Sequence, residues 1–196
     1  SFLNATDNVS VTATFSETVI VDNASGTPTL TMVVGSDNLT ATYASGSGSA
    51  PLVFQYTIQA GETDSDGISI GANALALNSG TIRDVAGNNA TITHSAVSAN
   101  TSYKVDNTAP SVSSFTLSDV ALKAGDNATV TLVFSEEVHY FSSAADITAA
   151  NGTLTTMIST DNKTWTGTFT PTANTEDASN TLSLAASYID TAGNAG

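Results

Sequence analysis

The chain matches itself in three places, in the same order. VSVTATFSETV (9–19) returns as ATVTLVFSEEV (128–138) at an offset of 119 residues. TLTMVVGSDNLT (29–40) returns as TLTTMISTDNKT (153–164) at an offset of 124, and DVAGNNA (84–90) as DTAGNAG (190–196) at an offset of 106. Three collinear matches at this spacing describe one folding unit written twice, each copy near the usual size of a small domain. The drop in the last offset puts extra residues in the middle of the first copy. ASGSGSAP (44–51), small and polar like a hairpin loop, is the obvious insertion.

The repeated segments read as strands. In the first copy Val9, Val11, Ala13 and Phe15 alternate with Ser10, Thr12 and Thr14, and in the second the inward set is Val130, Leu132 and Phe134. Leu30, Met32 and Val34 keep the same period, as do Leu182 and Leu184. A period of two with one apolar face marks a half-buried strand. SDN (36–38), TDN (160–162) and Asn151-Gly152 are turn signals between such strands. Short strands with regular turns in modules of this size make a β-sandwich.

Composition agrees. Apolar residues make up 40% of the 196, enough for a packed core. Four Lys and Arg against 18 Asp and Glu give a formal charge of −14. That balance excludes nucleic acid, whose binding requires a positive surface, and argues against anionic membranes. It also leaves too few helix formers for long helices. With no cysteine, disulfides and thiolate metal sites are impossible, and extra rigidity has to come from the core or from an ion. No apolar run approaches membrane-spanning length, and the N-terminus does not read as a signal peptide.

FSE followed by Val, D-x-A-G-N, and then Y-x-V-D-x-T-A-P between copies form a set that resembles the bacterial immunoglobulin-like (Big-type) tandem repeats of giant surface adhesins. The residues that carry it are Phe15–Val19 with Phe134–Val138, Asp84–Asn88 with Asp190–Asn194, and Tyr103–Pro110. The resemblance implies an all-β chain of two tandem Ig-like antiparallel β-sandwich domains. The expected division is 1–105 for the first repeat, 106–110 for a calcium-binding linker and 111–196 for the second repeat. The phase of the motifs suggests that the first strand of one repeat and the last strand of the other are truncated. The family further implies a monomeric, extracellular spacer on the bacterial cell surface, exported by type I secretion as RTX adhesins are. Such a spacer supports adhesion or biofilm formation, has neighbouring repeats as its partners, and leaves the host ligand to be bound elsewhere in the full protein.

The same resemblance places Ca2+ near the repeat junction. If each copy is Ig-like, Glu136 and Asp190 lie in loops at the pole where the chain enters, beside Asp106 and Asn107, and their oxygens suit a hard cation. Glu17 and Asp84 are the equivalents in the first copy, where the site is expected to be incomplete. Asp64 and Asp66, in the acidic turn GETDSDG (61–67), are further candidates. That turn imitates the start of an EF-hand loop, but Glu62 stands where the motif asks for Asp, Asn73 replaces the closing Glu, and the flanks read as strands. D-x-A-G-N also has a purely structural reading of equal weight, with Asp capping its own turn and Gly supplying positive φ.

Nothing in the sequence reads as an enzyme. His94 and His139 are the two histidines, and neither has catalytic or zinc-site partners at a recognisable spacing. Glu136 and Glu137 are adjacent, so in a strand they would point to opposite faces. The alternative function is a carbohydrate- or receptor-binding module of an adhesin or a secreted polysaccharide-active protein. It would need an exposed aromatic platform, for which Trp165, Tyr140 and Phe141 are the candidates. A core role for Trp165 is the better reading.

Overall fold

A computed structural model describes residues 2–176 and 181–196. The chain forms two compact units, 1–107 and 108–196, and each is described by itself. Both are built mostly from antiparallel strand pairs, with one four-residue helix among the described residues of the second, and the fold is an Ig-like β-sandwich.

The first unit contains β1 (Phe2–Leu3), β2 (Asn8–Asp22), β3 (Thr29–Val34), β4 (Asp37–Ser45), β5 (Ser49–Thr57), β6 (Leu75–Ala76), β7 (Thr81–Asp84) and β8 (Lys104–Val105). Six of them form a sheet in the order β6-β3-β4-β5-β2-β7, while β1 and β8 pair in parallel. Alternation places Leu30, Met32 and Val34 in the core with Leu52 and Phe54, the last two sealed from solvent. At 15 residues β2 is long enough to serve two partners. Asn8–Thr14 pair with β5, and after a register shift Val19–Asp22 pair with β7.

The second unit contains β9 (Val112–Leu117), β10 (Ala128–Phe134), α1 (Ser143–Asp146), β11 (Ile147–Ala149), β12 (Gly152–Leu154), β13 (Thr164–Pro171) and β14 (Leu182–Leu184). One sheet runs β12-β13-β10-β9, and a smaller one pairs β11 with β14. Val130, Leu132 and Phe134 are fully buried. Phe134 packs edge-on against Phe141 at 5.6 Å between centroids and lies 4.6 Å from Tyr188.

One expectation needs correcting. The insertion in the first copy is more than the loop ASGSGSAP. In the second unit β13, which follows the TDN turn, pairs directly with β10. In the first unit β4, which follows SDN, does not reach β2, and the whole strand β5 is interposed between them. The chain turns at Gly46–Gly48, both glycines in the positive-φ region, and returns as β5. The period-two set Leu52, Phe54 and Tyr56 is the signal that marks this strand.

Candidate metal centre

The D-x-A-G-N turns are built alike in the two units. In the second, the Asp190 carboxylate accepts the backbone N–H groups of Gly193 at 2.7 Å and Asn194 at 2.9 Å, and the Asn194 side-chain amide at 2.7 Å. In the first, Asp84 accepts the Asn88 backbone N–H at 2.8 Å and its side-chain amide at 2.7 Å. Gly87 and Gly193 take positive φ at the corner, as the motif requires. The structural reading of the motif therefore holds in both copies. The Asn88 side-chain and backbone bonds hold the Asp84 carboxyl below the usual carboxylate range.

The turn does not exhaust the Asp190 carboxylate, since Oδ1 takes both backbone N–H groups while Oδ2 takes only the Asn194 amide and has a second lone pair. Asp190 is 1% exposed, and Asp106 and Glu136 are half-buried. One carboxylate oxygen from each of the three lies within 4.8 Å of the others. Asp106 directly follows β8, Glu136 lies just past β10 and Asp190 opens the last turn. Calcium holds oxygens at about 2.3–2.6 Å, so oxygens on opposite sides of one ion stand roughly 5 Å apart. The spacing of the trio thus fits a single coordination sphere. Three carboxylates also supply the charge a divalent cation needs, in a chain with only four Lys and Arg.

The other predicted ligands have different surroundings. The Asn107 carbonyl oxygen accepts the Ala5 N–H at 2.5 Å, and its amide donates to the carbonyls of Gln59 at 3.1 Å and Glu62 at 2.7 Å. It clasps the end of the first unit to that unit's own loops. Asp64 is 3% exposed and caps its turn by accepting the N–H groups of Gly67 at 2.6 Å and Asp66 at 3.1 Å. Asp66 is exposed. The Glu62 carboxylate accepts the Tyr56 hydroxyl and the Gln59 N–H. Burial first, then this bond and the Glu62 charge, pushes the Tyr56 hydroxyl up to about 12. Glu17 and Asp84 line one cavity of the first unit. Among the described residues, Asp106, Glu136 and Asp190 form the one group of three acidic or imidazole side chains close enough to share an ion.

Sequence reasoning missed Asp146. It is 4% exposed, and its carboxylate accepts the Ser142 N–H at 2.7 Å and the Ser187 hydroxyl. It ties α1 to the chain ahead of the last turn. No local motif marks it, because its partners are set by the tertiary fold. The aromatics also sort themselves. Trp165 is half-buried and meets Phe141 edge-on at 4.9 Å, inside the core of the second unit. Tyr140 is 79% exposed, with φ at +64°, and Phe141 is buried. His94 lies outside the strands, where its Nε2 accepts the Ala74 N–H at 2.9 Å and fastens one loop to another.

Residues 106–196 match the family described as bacterial Ig-like domain. The match opens on Asp106 and includes the whole carboxylate trio. No curated protein matches the chain.

Proposed function

We propose that these repeats are spacers of a bacterial cell-surface adhesin, stiffened by calcium held on Asp106, Glu136 and Asp190. A bacterial Ig-like domain fits a structural repeat or extender role. The trio carries the calcium reading, because three carboxylates this close repel one another unless a cation lies among them. An ion shared by the trio would hold the chain at Asp106 to the turns that carry Glu136 and Asp190. Asp106 and Asn107 are also anchored to the first unit, since the Asp106 N–H donates to the Leu3 carbonyl at 2.9 Å and the Asn107 amide is clasped as described. Pro110, which is buried, fixes one more backbone angle just beyond.

Such a module works outside the cell, exported by type I secretion and repeated along a longer chain that carries the adhesive end. No catalysis is assigned to it. The sugar-binding alternative loses its main support, because Phe141 is in the core and Trp165 packs against it, which leaves Tyr140 as the one exposed ring of the three.

Calorimetry of the chain in EDTA and then in rising CaCl2 tests the ion. An ion at about 100 times its dissociation constant adds about 2.7 kcal/mol to the unit that binds it. We expect the unfolding temperature to rise with calcium, and the rise to vanish in Asp106→Asn and Glu136→Gln. Identical melting with and without EDTA would remove calcium from the proposal. X-ray scattering tests the stiffening separately, and a profile that ignores the ion would leave binding without a mechanical role.

A further inference from the structure

Residues 64–74 and 94–105 of the first unit run antiparallel and are fastened at intervals by main-chain bonds. Asp64 and Val105 exchange both N–H groups at 2.7 and 2.9 Å, and Ile70 and Val97 do so at 3.1 and 2.8 Å. Between these pairs the Ile68 N–H donates to the Tyr103 carbonyl at 3.0 Å, and the Asn100 N–H to the Ile68 carbonyl at 2.9 Å. His94 closes the far end of this strap. Its carbonyl accepts the Asn73 N–H at 3.1 Å, and its own N–H donates to the Asn73 side-chain oxygen at 3.1 Å.

The imidazole adds two more bonds. Nε2 lies 2.9 Å from the Ala74 nitrogen, and Nδ1 lies 2.8 Å from the Ser95 carbonyl oxygen. A backbone N–H can only donate, so Nε2 presents a lone pair to it. A carbonyl can only accept, so the proton of the neutral ring sits on Nδ1. Both partners demand the same tautomer.

Protonation leaves three of the four His94 bonds intact and reverses the fourth. Imidazolium carries an N–H at both nitrogens and has no acceptor. Two donors then face each other where 2.9 Å separated a donor from its acceptor. Ala74 is half-buried, so its N–H loses a partner that water replaces poorly. Histidine is the side chain that changes charge over roughly pH 5–8. The end of the strap is thus held by a bond that acid removes.

The charged surroundings do not oppose this. Residues 69–75 carry no titratable side chain, and His94 is the one titratable group in 88–97. Glu17 of β2 and Asp84 of β7 line the same cavity as His94, and their negative charges attract an imidazolium. Arg83 is engaged at the other end of the segment, donating to the Asn89 side-chain oxygen at 3.1 Å.

We propose that His94 is an acid-released latch on this strap. With the ring neutral, residues 94–105 are closed onto 64–74 along their length. With the ring charged, the strap opens from the His94 end while the Asp64–Val105 end stays shut. Acid therefore loosens one part of the first unit without unfolding it, and the device needs no ion.

Amide hydrogen exchange of the full chain in EDTA tests the latch, followed by NMR at about pH 7.5 and about pH 5. Exchange is expressed as protection, so that its intrinsic pH dependence cancels. In the wild type we expect protection at Asn73 and Ala74 to fall at least fivefold in acid, with Asp64 and Val105 unchanged. His94→Gln offers the Ala74 N–H a carbonyl oxygen at either pH, and its protection should not respond to acid. His94→Ala should show the low value at both. Nitrogen-15 shifts of the ring, identified by its loss in the variants, should report the Nδ1–H tautomer at neutral pH. If a variant does not fold, the wild-type tautomer and exchange decide alone. The Nε2–H tautomer, unchanged protection in acid, an equal loss at Val105 or an undiminished acid response in His94→Gln would each overturn the proposal. Because EDTA is present throughout, the latch and the calcium reading fail separately.

Discussion

Phe134 and Phe15 occupy the same place in the repeat, yet one is sealed inside its unit and the other is half-open to solvent. The difference does not lie in the strand, which alternates identically in both copies. It lies in the neighbours, since β10 runs between β13 and β9 while the matching stretch of β2 has β5 on one side and no strand on the other among the described residues. Burial of a residue is thus a property of the sheet around it as much as of its own segment. The first unit compensates elsewhere. Its added strand β5 contributes Leu52 and Phe54 to the core, and β2 extends to Asp22 to recruit β7.

Truncating the two phenylalanines is the sharpest way to break this comparison. Phe134→Ala removes a fully buried ring and its contacts with Phe141 and Tyr188. It should cost about 3–5 kcal/mol. Phe15→Ala removes a ring that solvent already reaches, and about 1–2 kcal/mol is expected. Urea unfolding of both variants, followed by NMR signals from each unit, checks the pair. Equal losses would mean that the β2 face is as closed as the β10 face.

The next comparison is between the two D-x-A-G-N turns. Asp190 is nearly inaccessible and accepts three hydrogen bonds, so Asp190→Ala takes from the Gly193 and Asn194 donors the buried acceptor that closes the turn. A loss of about 2–3 kcal/mol follows in calcium-free buffer. Asp84 is only half-buried and makes the same kind of turn among exposed residues, where water can replace the carboxylate. Asp84→Ala should therefore unfold at a denaturant midpoint closer to that of the wild type. A reversed order would show that the buried turn is not what holds the end of the second unit.

These contrasts show what the chain disclosed before its structure. Alternation is local, so Val130, Leu132 and Phe134, or Leu30, Met32 and Val34, could be read as one buried face each. The repeat disclosed two modules, and the structure divides the chain at 107, between the bounds read from the motifs. Pairing is not local, and β5 was hidden because a loop and the strand behind it looked like a loop alone. The meeting of Asp106, Glu136 and Asp190 joins positions scattered over much of the second repeat. Only the polar arrangement of loops in an Ig-like sandwich suggested it. Asn107 and Asp64 were put forward for their oxygens, and those oxygens turn out to hold backbone N–H groups. A donor list cannot distinguish a ligand from a cap, since the same lone pairs serve both.

The smallest expected effect concerns the third pair of matching segments, SDN and TDN. Asp37 opens β4 behind the two-residue turn Gly35-Ser36 and pairs with Val34. In the longer turn of the second unit, Asp161 instead accepts the N–H groups of Thr164 at 2.7 Å and Lys163 at 3.0 Å, and the Ser159 hydroxyl at 2.9 Å. These bonds, led by Thr164, pull its carboxyl from 3.8 down to about 2. Since the folded value lies below the unfolded one, ionised Asp161 stabilises the second unit above pH 3.8, and this support fades as pH falls through about 2. The wild type should therefore lose its advantage over Asp161→Asn across that interval, though the site is exposed and solvent keeps the difference small. Carboxyl-carbon NMR reads the group directly, and a midpoint near 2 is expected. Titration at the ordinary value would mean that the turn is not closed by its aspartate, and that the two copies differ here in loop length alone.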